Sequence, residues 1–381
     1  MSDTTFSELE QVHQSQGSAS TLDKLIETLR ADKKYHQLFD ALLMRQKHAW
    51  GAPLVKPTSF DDVPESNRDE FERYYINQAR EVGELFLADG AISQAWVYLK
   101  TIREPQKVAA AIEALPKSKA QEEEILDIAL YQGAHPVKGI ELMLASHGTC
   151  GTITAFDQLS PQLPADVRQK CSAVLVRELY NTLVENVQHD VQRRHAVLPP
   201  GLSLRELIAG RDWLFAEGNY HTDVSHLNAV VRFARSLDAT QPELRLALQL
   251  AEYGSQLSSQ YQYAGHSPFQ DFYPAHVQFF KALAGDNRDE ALGYFREKLG
   301  PDTSDYDNQL AALTLIDLLS RVDRMGEAVD VACKYLTNAP DEFGFSLSDL
   351  CLKAGRLADW QRVCREKGDL VGFTAALVQA K

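Results

Sequence analysis

Leu283-Ala-Gly-Asp286, followed five residues later by Ala291, is the stretch that decides the fold of this 381-residue chain. The apolar end of one helix is followed by a turn residue that tolerates the left-handed conformation. A small residue then lies on the buried face of the next helix. Because alanine is small, the second helix can pack closely against the first. The stretch therefore predicts a joint between two antiparallel helices.

The same joint recurs along the chain. It is found at Leu87–Gly90 before Ala95, at Leu319–Asp323 before Ala328, and at Leu352–Gly355 before Trp360. The last three joints follow one another at spacings of 37 and 32 residues, on either side of the period of about 34 in a tetratricopeptide repeat. Residues 270–379 therefore resemble tetratricopeptide-repeat proteins, and the resemblance implies consecutive antiparallel helix pairs there.

The rest of the chain also carries a helical pattern. Residues 33–50 form one apolar stripe at helical spacing, which the proline-rich segment 51–57 ends, and a long helix is predicted over 165–194. In no segment do apolar and polar residues alternate over enough positions to predict a convincing strand. We therefore predict an all-α protein: a right-handed superhelical array of antiparallel helix pairs, an α/α solenoid of tetratricopeptide type, with an irregular central section.

Breaks in composition, the clearest at Leu198-Pro-Pro-Gly201, divide the chain into four predicted regions. They are N-terminal helices with the proline-rich connection (1–60), a helical-repeat region (61–197), a central helical section rich in aromatic and histidine residues (198–282), and C-terminal helix pairs like tetratricopeptide repeats (283–381).

Charge and composition limit the possible partners. A net charge of −14 argues against binding to nucleic-acid phosphates or an anionic membrane, and it favours a basic or neutral protein or peptide. The five cysteines are odd in number and never spaced C-x-x-C, so we expect reduced, mostly buried thiols. With no secretory leader and no apolar run long enough to span a membrane, we expect a cytoplasmic protein.

The segment Tyr220-His-Thr-Asp-Val-Ser-His226 is the best chemical candidate. His221, Asp223 and His226 form a possible ligand set for a divalent transition metal. Alternatively, His221 acts as a general base that Asp223 orients. The structural alternative makes Asp223 or Ser225 a helix N-cap, and the two histidines half-buried hydrogen bonders.

A second candidate is Cys150, in the glycine-flanked stretch His147-Gly-Thr-Cys-Gly-Thr152. Free backbone amides there would hold an anion and lower the pKa of a nucleophilic thiol. The alternative is purely structural: Gly148 ends one helix and a threonine caps the next.

Arg232 and Arg235 lie three residues apart, on one face of a predicted helix. They could clamp a carboxylate or phosphate, or they could form ordinary ion pairs. Aromatic and histidine residues follow in 261–280. They could line a groove, although their helical spacing favours a core stripe. The predicted ligand-binding residues are Arg211, Trp213, Tyr220, Arg232, His266, Tyr273 and His276.

These observations lead to two functional hypotheses. The first is a cytosolic helical-repeat interaction protein that holds a peptide, a protein segment or a small ligand in a concave central groove. The alternative is a metal-assisted enzyme, of hydrolase or lyase type, with its site at 221–226 and a divalent transition metal as cofactor. No familiar hydrolase, nucleotide-binding or dinucleotide-binding motif occurs in the sequence.

Overall fold

A computed structural model describes residues 3–116, 123–194 and 198–379 of the chain. Within these ranges 75% of residues lie in helices, and no β-strand forms. The only β-type pairing there is an isolated bridge between Ala264 and Asp271. The prediction of an all-α protein is confirmed.

Contacts between Cα atoms group the chain into two compact units, Met1–Gly148 and Thr149–Lys381. The four regions drawn from the sequence remain a prediction. The helices of the first unit are α1 (Asp3–Gln16), α2 (Ser18–Ala31), α3 (Tyr35–Ala49), α4 (Arg68–Ala88), α5 (Ile92–Thr101), α6 (Pro105–Glu113) and α7 (Glu123–Leu126), which runs into a π-helical turn at Asp127–Tyr131. From α1 to α6, each helix packs against the next. Helix α8 (Pro136–Leu159) then breaks at Gly148, where φ is 69° and ψ is −176°.

The proline-rich connection after α3 is held by a buried lysine. Lys47 is fully buried, and its Nζ donates to the carbonyl oxygens of Lys56 and Ser59 at 2.7 Å each. It also lies 5.5 Å from the centroid of the Phe71 ring. These contacts satisfy the ammonium group in place of water, so Lys47 fixes the connection to the core of the first unit.

The second unit contains the long helix and the repeated joints. Its remaining helices are α9 (Ala165–Arg194), α10 (Leu204–Ile208), α11 (Val224–Phe233), α12 (Glu243–Gln256), α13 (Phe272–Ala284), α14 (Arg288–Glu297), α15 (Tyr306–Arg321), α16 (Met325–Tyr335), α17 (Leu347–Lys353), α18 (Leu357–Lys367) and α19 (Leu370–Gln379). From α11 to α19 each helix packs against the next, and α9 contacts α10, α11 and α12. This consecutive packing is compatible with a helical repeat.

The four predicted joints adopt the left-handed conformation expected of them. The residues concerned are Gly90 (φ 76°), Gly285 (φ 84°), Asp323 (φ 64°) and Gly355 (φ 68°). The alanines that follow, Ala95, Ala291 and Ala328, are fully buried, whereas Trp360 is only half-buried. The turn residues therefore end one helix and bring a small side chain into the contact made by the next.

All five cysteines are free thiols, as predicted. Cys171, Cys351 and Cys364 are buried and Cys333 is half-buried, whereas Cys150 is exposed. Among the residues that the structure describes, no helix combines the length and the apolar character required to cross a membrane.

Candidate ligand-binding site

A cavity of about 320 Å³ lies in the second unit, beside α11, α13 and the segment 257–271 that joins α12 to α13. Its volume is at the lower end of the range for small-molecule sites, roughly 300–1,000 Å³. The lining side chains that matter here are Asn228, Arg232, Arg235, His266, Phe269 and His276. No Asp or Glu is among the described residues that line it. The cavity is therefore locally positive in an acidic chain.

Arg235 supplies the least compensated of these charges. It lies in the single turn Ala234–Ser236 that follows α11, and its Nε donates a long bond of 3.4 Å to the carbonyl of Arg232. Its guanidinium lies over the ring of Phe269, 4.8 Å from the centroid. No carboxylate of the described residues forms an ion pair with Arg235, and the nearby Asp317 pairs with Arg321 at 3.1 Å instead.

The energetics of Arg235 follow from that environment. Burial, followed by repulsion from Arg232, lowers the pKa of Arg235 to about 10. The side chain therefore stays charged at neutral pH. A desolvated cation without a counter-ion is unfavourable, and an anion entering the cavity would relieve that cost.

Arg232 is the second cation of the cavity. It bonds Asp157 at 3.0 Å, and both side chains of the pair are about half exposed (42% and 50%). Exposed pairs of this kind contribute about 0–1 kcal/mol. An incoming anion can therefore replace Asp157 as the partner of Arg232 at a small cost in free energy.

A neutral donor lies next to the two arginines. The hydroxyl of Tyr273 donates to Oδ1 of Asn228, which leaves the carboxamide NH₂ of Asn228 without a partner among the described residues. Tyr273 itself is fully buried, and burial raises its pKa, so the hydroxyl keeps its proton. Tyr273, predicted to bind ligand, thus reaches the cavity only by orienting Asn228.

His276 is a buried residue in the wall of the same cavity. The residue is only 1% exposed. Its Nδ1 lies 2.7 Å from the carbonyl of Phe272, so Nδ1 carries the hydrogen. Burial, then the charge of Arg235, lowers the pKa of His276 to about 3. The ring is therefore neutral and Nε2 carries a lone pair, which has no partner among the described residues.

Three of the predicted ligand-binding residues thus meet at one cavity: Arg232, His266 and His276. His266 is exposed and lines the cavity together with the half-exposed Tyr263. The sequence offered one further signal, which the predicted ligand set did not use. Asn228, Arg232 and Arg235 are spaced i, i+4 and i+7, the spacing of one helix face.

His221, in contrast, is locked by hydrogen bonds outside this cavity. Its backbone N–H donates to the Tyr253 hydroxyl at 2.9 Å, and Nδ1 lies 3.0 Å from the same oxygen. Its Nε2 lies 3.2 Å from Asp190 on α9, and its carbonyl accepts from Asn186 at 2.8 Å. Both ring nitrogens are engaged and the side chain is only 5% exposed, so these contacts favour the structural alternative.

Asp223 is the N-cap of α11. Its Oδ1 accepts from the backbone N–H and the hydroxyl of Ser225 at 2.8 and 2.6 Å. The Ser225 hydroxyl bond is the largest cause of the lowered pKa of Asp223. The carboxylate partner of His221 is therefore Asp190 rather than Asp223, because Asp223 is used by its own helix. Nowhere in the described ranges does a group of three or more His, Cys, Asp or Glu side chains form that could hold a metal, and His226 is half-buried on α11.

The other predicted residues have separate partners. Arg211 donates to the carbonyls of Glu206 and Leu207 at 3.0 and 2.9 Å, near the end of α10. The Trp213 ring lies 4.0 Å from the Arg194 guanidinium, and Tyr220 packs edge-on against Tyr261 at 5.0 Å. None of the three predicted residues is among those that line the cavity.

Cys150 follows the break at Gly148 and lies within α8. Its thiol is exposed, and its carbonyl accepts from the Thr154 hydroxyl at 3.1 Å. The left-handed Gly148 agrees with the structural alternative for this stretch, in which glycine interrupts one helix before the next.

Comparison with protein-family models, with curated proteins and with solved structures finds no significant match to this chain.

Proposed function

We propose that the second unit is a binding module for an anionic group, presented by a small ligand or by a peptide or protein segment, in the cavity beside α11 and α13. The observation that carries the proposal is Arg235. Its desolvated guanidinium has no ion-pairing carboxylate among the described residues, and the described lining of this cavity includes no Asp or Glu. Arg232 and the free amide of Asn228 supply further donors. Phe269, Phe272 and Tyr263 supply apolar and aromatic surface for the body of the ligand.

The net charge of −14 predicts a basic or neutral partner for the protein as a whole. The cavity itself favours a negatively charged group, because the electrostatic potential at short range is set by the nearest charges, here those of Arg232 and Arg235. Both statements hold for one partner if an otherwise neutral or basic molecule carries the anionic group, as the carboxyl terminus of a basic peptide does.

Phenylacetate tests the proposal, since it joins a carboxylate to a ring of the size that aromatic lining accommodates. Titration calorimetry should detect binding of phenylacetate and no binding of the neutral phenylacetamide. Arg235→Met should abolish the binding of phenylacetate. Arg296→Met is the matched control, because Arg296 pairs with Glu327 at 2.6 Å and does not line the cavity. Equal binding of the acid and the amide, or full binding by Arg235→Met, would refute the proposal.

We also propose that α13–α19 form a right-handed array of helix pairs like tetratricopeptide repeats. The recurring left-handed joints and the consecutive packing support this. A crystal structure in which successive pairs are not related by a regular right-handed rotation would contradict it.

A further inference from the structure

We infer that the ligand carries a neutral hydrogen-bond donor, a hydroxyl or an amide N–H, on the carbon next to its carboxylate. This rests on the proposed function and specifies the chemical class of the ligand: an α-hydroxy acid or an N-acyl α-amino acid. The carboxylate is held by Arg232 and Arg235, and the neighbouring donor is received by Nε2 of His276.

The need for a donor follows from the protonation of His276. Because Nδ1 donates to the Phe272 carbonyl at 2.7 Å, Nε2 of the neutral ring can only accept. This lone pair is buried and has no partner among the described residues, an arrangement that is rare in folded proteins and costs free energy. The missing partner is therefore a donor, and neither a carbonyl nor a second carboxylate can supply it.

The neighbouring charges decide which kind of donor is accepted. Arg232 and Arg235 line the same cavity, and no acidic group among its described lining residues balances them. An ammonium group would be repelled by both guanidinium groups, so the free amino acid is disfavoured. A hydroxyl or an amide N–H can meet Nε2 without adding positive charge.

Two aromatic rings pack against the imidazole of His276. The ring centroids of Phe269 and Phe272 lie 4.4 and 4.3 Å from that of His276, and both rings line the cavity. The guanidinium of Arg235 also lies over the Phe269 ring, 4.8 Å from its centroid. Arg235 and His276 thus contact the same ring, and this proximity is the reason for placing the donor on the α carbon.

Four probes separate the possibilities in calorimetric titrations of the full chain. Mandelate carries an α-hydroxyl, N-acetylphenylalanine mimics the carboxyl-terminal residue of a peptide, phenylacetate lacks the donor, and α-methoxyphenylacetate blocks it. We expect at least one of the two donor-bearing acids to bind about tenfold more tightly than phenylacetate and α-methoxyphenylacetate. Tighter binding of mandelate would indicate an α-hydroxy acid as the ligand, and tighter binding of N-acetylphenylalanine would indicate the carboxyl terminus of a peptide. Free phenylalanine should bind more weakly than its N-acetyl form.

His276→Phe provides the matched variant, because it keeps an aromatic ring and removes the lone pair. It should lose the preference for donor-bearing acids, so that mandelate and N-acetylphenylalanine bind no more tightly than phenylacetate does to the same variant. Long-range ¹H–¹⁵N spectra of ¹⁵N-histidine-labelled parent protein give a second readout that does not depend on the variant folding. The Nε2 resonance of His276 should move upfield with mandelate or N-acetylphenylalanine and stay in place with phenylacetate.

These measurements distinguish a failure of the donor inference from a failure of the proposed anion site. If all four acids bind equally in an Arg235-dependent manner and the Nε2 resonance does not move, the donor inference is overturned and the anion site stands. If none of the acids binds, both are overturned.

Discussion

Arg235 and His276 share a desolvated environment, and burial acts on both by disfavouring the charged form. For His276 the result is a neutral ring with a pKa of about 3, because an imidazolium beside Arg235 is doubly unfavourable. For Arg235 the intrinsic pKa is so high that a fall to about 10 leaves the charge in place. One environment therefore produces a neutral acceptor and a retained cation side by side.

The depressed pKa of His276 predicts how stability depends on pH. The unfolded chain takes up a proton near the ordinary value of 6.5, whereas the folded ring stays neutral until about pH 3. The free energy of unfolding should therefore fall as pH drops through this window, and this residue should contribute up to about 2 kcal/mol between pH 7 and pH 5. Urea unfolding at both pH values measures it. His276→Phe should show a correspondingly smaller loss, and identical losses would contradict the assignment.

Arg235 should cost stability in the absence of ligand. Replacement by Met removes a desolvated charge and keeps an unbranched side chain, so Arg235→Met should raise the free energy of unfolding by about 0.5–2 kcal/mol. Arg296→Met, in contrast, removes an exposed pair and should change stability by no more than about 1 kcal/mol. Denaturant titrations of the two ligand-free variants check this. A marked destabilisation by Arg235→Met would indicate that the guanidinium has a structural partner.

Among the elements, the helix joints share one hydrogen-bond pattern. The backbone N–H after each left-handed residue bonds the carbonyl five residues earlier, as between Ala91 and Phe86 at 2.9 Å and between Arg324 and Leu319 at 2.8 Å. The pattern also occurs after Lys33 and Arg103, where φ is 55° and 61°. Sequence analysis missed these two joints, because lysine and arginine rarely adopt the left-handed conformation and carry no turn signal.

The contact between α12 and α13 depends on a glycine. An ideal Cβ at Gly254 would lie 2.3 Å from two ring carbons of Tyr273, the fully buried residue that orients Asn228. Gly254→Ala should therefore destabilise the protein by about 1–3 kcal/mol through overpacking. It should also weaken phenylacetate binding, because displacement of Tyr273 releases Asn228.

Gly293, inside α14, is the matched control for Gly254. A Cβ there would meet no atom within 4 Å, so Gly293→Ala should stabilise the protein by about 0.5–1 kcal/mol through helix propensity. Thermal and urea unfolding of both variants give the comparison. If Gly254→Ala proved as stable as Gly293→Ala, the close approach of α12 to the Tyr273 ring would be wrong.

At the scale of the whole molecule, the five thiols all lie in the second unit and report on its packing. Cys150 is exposed, and burial raises the pKa of Cys171 to about 12 and that of Cys351 to about 11. Because the thiolate is the reactive form, buried thiols with raised pKa values react slowly. Iodoacetamide should therefore modify Cys150 first under native conditions, and all five thiols after denaturation. Peptide mass mapping checks the order, and early modification of Cys171 would contradict the packing of α9.

The sequence alone determined the helical class, the joints at Gly90, Gly285, Asp323 and Gly355, and the free state of the cysteines. These are local properties, because apolar periodicity and turn chemistry act over a few residues. The sequence also indicated Arg232, His266 and His276 individually as ligand-binding candidates.

Only the tertiary structure decided how these side chains are used. Asp223 caps its own helix and His221 bonds Tyr253 and Asp190, whereas the pattern from 221 to 226 had left a metal site as an alternative. The charge of Arg235 matters because no Asp or Glu is among the described residues that line the cavity beside α11 and α13. The lone pair of His276 matters because a helical carbonyl occupies its other nitrogen. Burial and hydrogen-bond partners come from segments distant in sequence, and they determine protonation and free energy in ways that residue spacing does not record.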